Sequence, residues 1–222
     1  MYNIPKNEVL RYLGYNGQEL DLQTDNMINE CILLALSVCT PGYTYITSDV
    51  FFNKNTVTLN GTNLTLEGSD ILSHLNGSEK CITLACTLGM GFETELLKLQ
   101  AKSATKAVIF DAVGTAFIEE FADRTEEKLL LPYKEKGYFS KFRYSPGYGD
   151  LKLELQKDII TTLDAQKRIG LLVTDTNILI PRKSITAFIG IFKTPQKKPQ
   201  SKCEICSARS SCSMRKEGQA CD

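Results

Sequence analysis

The chain contains no tryptophan and a single histidine among its 222 residues. One imidazole rules out histidine-rich metal sites and leaves a Ser-His-Asp nucleophile system without support. That histidine, in "SHLNG", ends a short helix just before Gly77, which is the position of a structural residue. No run of about 18 apolar residues occurs, so no membrane-spanning helix is expected. The start, "MYNIPKNEVLRYLGYNG", lacks the basic and then apolar segments of a leader, so the expected location is the cytoplasm. Net charge is also lacking, with 26 Lys and Arg against 26 Asp and Glu. That balance conceals a gradient: residues 193–222 carry seven cations against three acids, a net of +4, which leaves the first 192 residues at −4. An acidic body of this kind argues against a broad nucleic-acid surface.

The hydrophobic pattern divides the chain at its basic end. Residues 7–15 read as a short helix closed by Gly14. Thr24 or Asp25 is expected to cap a helix with an apolar face of Met27, Ile28, Cys31, Leu34, Ala35 and Val38. "YTYITSDVFF" and "TVTL" form a hairpin, which "LTL" extends; Ser69 then caps a helix through Leu75. "KCITLACTLG" is apolar on both faces, as a buried central strand must be. Helices follow over 92–102 and 104–129, the second rich in small residues that require a close neighbour. After a loop over 130–150 comes a helix that Gly170 stops, then strands in "LLVTD" and "SITAFIGIF". Helices and strands do not alternate regularly, so the fold class is α+β, a twisted, mainly antiparallel sheet with packed helices. The expected domain spans 1–192, with a Pro/Gln/Lys linker at 193–202 and a cysteine-rich tail at 203–222.

Two stretches carry possible chemistry besides ordinary packing. "TLGMGFE" sets Gly89 and Gly91 between a strand and a helix, but it lacks the lysine of a P-loop and the third glycine of a dinucleotide fingerprint. A tight turn explains it better than a phosphate site. The tail "CEICSARSSCSMRKEGQAC" holds Cys203, Cys206, Cys212 and Cys221 in a C-x2-C-x5-C-x8-C array. Four thiols this close, in a chain with no sign of export, point to a metal site, Zn²⁺ or an iron–sulfur cluster, over disulfides. A redox-reactive or disordered tail is the other reading. Cys31, Cys39, Cys81 and Cys86 fall on apolar faces and read as core residues.

"RYSPGYGD", residues 143–150, is neither helix nor central strand: Pro146 removes a donor, and Gly147 and Gly149 free the backbone. It is a shaped loop. Arg143 offers a planar fork that matches a carboxylate, Tyr148 an aromatic face, and Ser145, Pro146 and Gly147 backbone groups for the edge of a heterocycle. Together these suit S-adenosylmethionine, although an arginine–tyrosine loop can also simply pack on its own protein.

From Arg143 onward, "RYSPGYGDLKLELQKDIITTLD" and "GLLVTDTNILIPRKSITAFIGI" resemble the activation (reactivation) domain of cobalamin-dependent methionine synthase, in a stand-alone form. Arg143, Gly147 and Tyr148 match its R-x-x-x-G-Y loop and Gln156 the helix that follows. Val173-Thr174-Asp175, Leu179-Ile180-Pro181 and Ser184-Ile185-Thr186-Ala187 match the later segments. The family usually has proline where this chain has Gly149, and its acidic contact on the long helix falls at Thr115, with Glu119 one turn on. On this resemblance the folate, homocysteine and cobalamin modules are expected to lie outside these 222 residues.

The resemblance implies reductive reactivation of a cobalamin-dependent methyltransferase. S-adenosylmethionine would be held by Arg143, Ser145, Pro146, Gly147 and Tyr148 over a corrinoid carried by the partner, and an electron donor such as flavodoxin or ferredoxin would supply the reduction. No general acid or base is needed. The cysteines of the tail would hold an iron–sulfur cluster, or zinc. The alternatives are a non-catalytic corrinoid-protein partner, or a metal-binding or electron-transfer accessory protein.

Overall fold

The computed structural model describes residues 2–15 and 17–196. Its main sheet contains β1 (Gly42–Phe52), β2 (Thr56–Leu59), β3 (Thr65–Glu67), β4 (Lys80–Thr87), β5 (Phe139–Ser140) and β8 (Ser184–Phe192). The spatial order is β3-β2-β1-β4-β8-β5, and every neighbouring pair is antiparallel. A separate hairpin joins β6 (Leu172–Val173) to β7 (Leu179–Ile180). The expected α+β class with an antiparallel sheet is the class observed.

Both faces of the sheet are covered, which explains why β4 is apolar on both. Side chains alternate along a strand, so Ile82, Leu84 and Cys86 enter one core while Cys81 and Ala85 enter the other. The first core lies under α1 (Lys6–Tyr12), α2 (Leu22–Val38), α4 (Met90–Lys102) and α5 (Ala104–Lys134). The second lies under α3 (Ser69–Leu75), α6 (Gln156–Thr162) and α7 (Ala165–Ile169). Each fully buried Phe, Ile or Leu in these layers contributes about 1.5–3 kcal/mol relative to exposure.

The small residues of α5 do have a close neighbour. A Cβ at Gly114 would overlap the Phe92 ring, which stacks on Phe110 at 4.5 Å and 7°. Gly91 likewise lies against the Val38 carbonyl. The Gly89–Gly91 turn is therefore packed against protein, and its tightness serves the strand-to-helix connection.

Several boundaries differ from expectation. The cap of α2 is Asp21, whose Oδ1 accepts from the Thr24 amide at 2.9 Å; Thr24 itself already lies inside the helix. α5 continues to Lys134 through Pro132, which sits in the last turn, where little of the helix remains to be disturbed. The single helix expected before Gly170 is instead a 3-10 turn at Leu153–Leu155 followed by α6 and α7, separated where Asp164 adopts φ 48°. Its end is as expected: Gly170, at φ 66°, donates to the Gln166 carbonyl, and Leu171 donates to Ala165. Among the described residues, no helix is long and apolar enough to cross a membrane.

Candidate functional site

The loop at 143–150 lies along the outer edge of β8. β5 covers only the far end of that strand, placing Phe139 beside Phe192 and Ser140 beside Ile191. Further along, Tyr144 exchanges two backbone hydrogen bonds with Phe188, at 2.9 and 2.8 Å. Because neighbouring side chains point to opposite faces, Tyr144 enters the second core and Arg143 reaches α5 on the other side.

The next four residues form a β-turn. The Tyr148 amide donates to the Ser145 carbonyl at 3.0 Å, Pro146 presets the first corner, and Gly147 supplies φ 92° at the second. That combination is a type II turn, which requires a positive φ at its third position. The Gly147 amide donates to the Leu151 carbonyl at 2.8 Å. The amides of Gly147 and Tyr148 are therefore used within the loop. What Pro146 and Gly147 retain for a ligand is their carbonyls, which have no hydrogen bond among the described residues. This narrows the expected contacts of Pro146 and Gly147 to acceptors. The Tyr148 ring, 51% exposed, packs edge-on against Tyr144.

Arg143 sits at the centre of an acidic stripe. Glu119, Asp123 and Glu126 are spaced by four and three residues and so share one face of α5. Nη1 donates to Asp123 Oδ1 at 2.7 Å and to Glu126 Oε2 at 2.8 Å, and Nη2 to Glu119 Oε2 at 3.2 Å. Burial opposes the guanidinium's charge, but the three carboxylates outweigh it and lift the Arg143 pKa above the ordinary arginine value. Glu126 behaves differently: burial pushes its pKa up more strongly than Arg143 pulls it down. Both directions are consistent, because one cation is shared among three anions. Thr115, where the resemblance placed an acid, instead accepts from Lys183 Nζ at 2.7 Å, and Lys183 also pairs with Asp111 at 3.0 Å. Of those two positions it is Glu119, not Thr115, that faces the loop arginine, beside Asp123 and Glu126. Asp123 and Glu126 were not singled out from the sequence, although their spacing was available there.

The far end of the loop is fastened to α3. The Asp150 carboxylate accepts from the Ser69 amide at 2.6 Å, the Ser69 hydroxyl at 2.8 Å and the Asp70 amide at 3.1 Å. These bonds hold the Asp150 carboxyl below its usual range, the Ser69 hydroxyl first. The helix that Ser69 was expected to cap is capped by a residue from the loop instead. Gly149 holds φ +51°, which favours glycine and which a proline could not adopt, and a Cβ there would meet the side-chain ends Asp70 Oδ2 and Tyr144 Oη.

His74 supports the loop from beneath. It is buried and in ring contact with Phe142 and Tyr144, and its Nε2 lies 3.0 Å from the Phe142 carbonyl. A carbonyl can only accept, so Nε2 carries the proton. Burial first, and then the Lys141 ammonium, push its pKa down to about 4. Because the folded value lies below the unfolded value of about 6.5, stability is full above pH 6.5 and is lost as pH falls toward 4. Wild type is expected to lose about 2 kcal/mol more than His74→Gln between pH 7 and pH 5, read by urea denaturation. Equal losses in the two proteins would contradict a neutral, buried imidazole.

Away from the loop, an open groove of about 650 Å³ runs over the first half of α5, lined by Tyr12, Leu96, Gln100, Val108, Asp111 and Arg182 among others. Its lining on α5 ends at Thr115, one turn before Glu119, and includes none of residues 143–148. This groove and the shaped loop are separate features. Cys31, Cys39, Cys81 and Cys86 are free thiols whose pKa values burial raises, those of Cys39, Cys81 and Cys86 to about 12. Thiols of that kind are inert core groups. Cys203, Cys206, Cys212 and Cys221 lie outside the described residues. Among the described residues, no group of three or more His, Cys, Asp or Glu is placed to hold a metal ion.

No protein-family model matches the chain, and no curated protein matches it in sequence. Among solved structures, it is similar to a crystal structure of the MetH reactivation domain bound to AdoHcy. The two are 11% identical, with a TM-score of 0.66, over 95% of this chain and 80% of the other. Identity at that level speaks for architecture. The chain has the fold of the MetH reactivation domain.

Proposed function

We propose that this domain binds S-adenosylmethionine at the 143–148 loop and serves the reactivation of a cobalamin-dependent methyltransferase, with methionine synthase as the type of partner. The observation that carries this reading is the Arg143–Tyr148 loop lying on the open edge of β8 opposite the carboxylates of α5, within a fold that in another protein is bound to AdoHcy. The residues present fit the ligand group by group. Arg143 matches the methionine carboxylate, and Glu119, whose side chain is about half exposed, matches the ammonium and the sulfonium charge. The free carbonyls of Pro146 and Gly147 accept from an exocyclic amine, while the Tyr148 ring covers one face of the nucleoside. S-adenosylmethionine supplies a methyl group for a reduced corrinoid carried by the partner.

The domain's own contribution is positional, holding a donor carbon in line with an acceptor outside the chain. No side chain needs to move a proton, which agrees with a lone histidine that is buried and neutral. The tail cysteines, in this reading, hold an iron–sulfur cluster that passes the reducing electron from a donor of the flavodoxin or ferredoxin type. A colourless, anaerobically purified protein carrying one zinc and no sulfide would remove the cluster from the proposal. The cytoplasm is the compartment that such partners imply.

A second reading has one observation in its favour. Arg143 already has three carboxylates, so the chain could keep the fold and serve as a non-catalytic partner of a corrinoid protein. Calorimetry separates the two: S-adenosylmethionine should bind the wild-type protein and fail to bind Arg143→Ala. Function itself is read by mixing the domain with a cobalt(II) corrinoid protein, a reductant and S-adenosylmethionine and following the visible spectrum. Alkylation of the corrinoid that does not depend on this domain would defeat the proposal.

A further inference from the structure

We infer that Asp123 is a built-in stand-in for the carboxylate of the ligand: it occupies Arg143 when the site is empty and yields when an amino-acid carboxylate arrives. This rests on the ligand reading of the loop given above.

None of the three acids on Arg143 makes the bidentate fork that a guanidinium and a carboxylate form at their best; each contributes one oxygen. An arriving carboxylate that forms two parallel bonds therefore has an advantage over any one of them. The three acids are not equally free to leave. The Glu126 side chain is 18% exposed, and separating it from the cation would strand a charge in a site that burial already disfavours. Glu119 uses the other nitrogen, at the longer distance of 3.2 Å. The Asp123 side chain is 64% exposed and shares Nη1 with Glu126 at 2.7 Å, so it can turn into water at the smallest desolvation cost.

Charge points the same way. One guanidinium facing three carboxylates leaves the cluster at −2, and release of Asp123 lets a ligand carboxylate enter without adding a fourth anion. The buried Glu126 remains as the anchor that keeps Arg143 charged and in place. Asp123 is thus a competitor that sets affinity, and it makes the site selective for ligands that carry a carboxylate able to displace it.

The test is calorimetric titration of wild type, Asp123→Asn and Asp123→Glu with three compounds: S-adenosylmethionine, S-adenosylhomocysteine and methylthioadenosine, which lacks the amino-acid end. Asp123→Asn should bind the two carboxylated compounds about fivefold more tightly, the scale of a lost exposed ion pair. Its affinity for methylthioadenosine should be unchanged, and Asp123→Glu should return to the wild-type pattern. Equal or weaker binding of the carboxylated compounds by Asp123→Asn overturns the inference while leaving the ligand assignment intact. So does a gain shared by all three compounds. Absence of binding by every protein overturns the ligand assignment and this inference together.

Discussion

Arg143→Gln is expected to lower the stability of the domain by about 3 kcal/mol and to abolish binding of S-adenosylmethionine. The loss of stability comes from what remains behind. Glu119 and Asp123 can turn to water, but Glu126 is largely enclosed and would keep its charge without a cation. Breaking a buried pair from one side typically costs about 3–5 kcal/mol, and only one of the three acids is deep enough to incur it in full. The effect should depend on pH with a definite sign. The Glu126 pKa is already raised by burial, and without Arg143 it rises further, so acidification neutralises the stranded group in the variant first. The stability gap between wild type and Arg143→Gln should therefore narrow as pH falls from 7 to 5, measured by urea denaturation at each pH. Adding Glu126→Gln to the variant should recover most of the lost stability without restoring binding. A gap that widened with acid would mean that Glu126 is not the residue left stranded.

The parts of this architecture that local pattern can encode were legible. Residues 80–89 carry apolar side chains in both alternating sets, Ile82, Leu84 and Cys86 in one and Cys81 and Ala85 in the other, and the strand they form is central and covered on both sides. Small residues on α5 announced a close neighbour, and Gly114 meets Phe92. The loop was recognisable because Pro146, Gly147 and Gly149 exclude regular structure, and both glycines do adopt positive φ. What was not legible was chosen by residues far away in the chain. Ser69 has the side chain of a helix cap, yet the cap comes from Asp150, 81 positions later. The acids at 119, 123 and 126 look like the solvated face of a helix until the β8 edge brings Arg143 to them. The single helix expected before Gly170 breaks at Asp164, whose left-handed backbone no periodicity of apolar residues could reveal. Long-range polar pairing thus built the candidate site, while short-range apolar pattern built the platform beneath it.

Gly149→Pro, which would restore the residue usual in the resembling family, should be among the most damaging single changes in the loop. Proline fixes φ near −65°, whereas Gly149 holds φ +51°, so the peptide would have to rotate by more than a quarter turn. A side chain there also meets the ends of two others, Asp70 Oδ2 and Tyr144 Oη, of which the exposed Asp70 can turn away, so the backbone carries most of the cost. Rotation at 149 carries Asp150 away from the Ser69 and Asp70 amides, so α3 loses its cap as the loop loses its shape. The contributions are of different size. Asp150→Ala removes the cap alone and should cost about 1 kcal/mol, whereas Gly149→Ala adds left-handed strain and overlap. The proline variant adds a backbone that cannot reach the native conformation at all, and about 3 kcal/mol or more is expected. In a domain of this size, each kcal/mol corresponds to about 2–4 °C in Tm, so thermal denaturation should rank the three as Asp150→Ala, Gly149→Ala, Gly149→Pro, with the last lower by roughly 10 °C. Ligand binding should fall in the same order, because Tyr148 and the carbonyls of Pro146 and Gly147 are held by the turn that Asp150 fastens. A proline variant with an unchanged Tm would mean that the loop does not hold a positive φ at 149, and the fastening of the site to α3 would have to be abandoned.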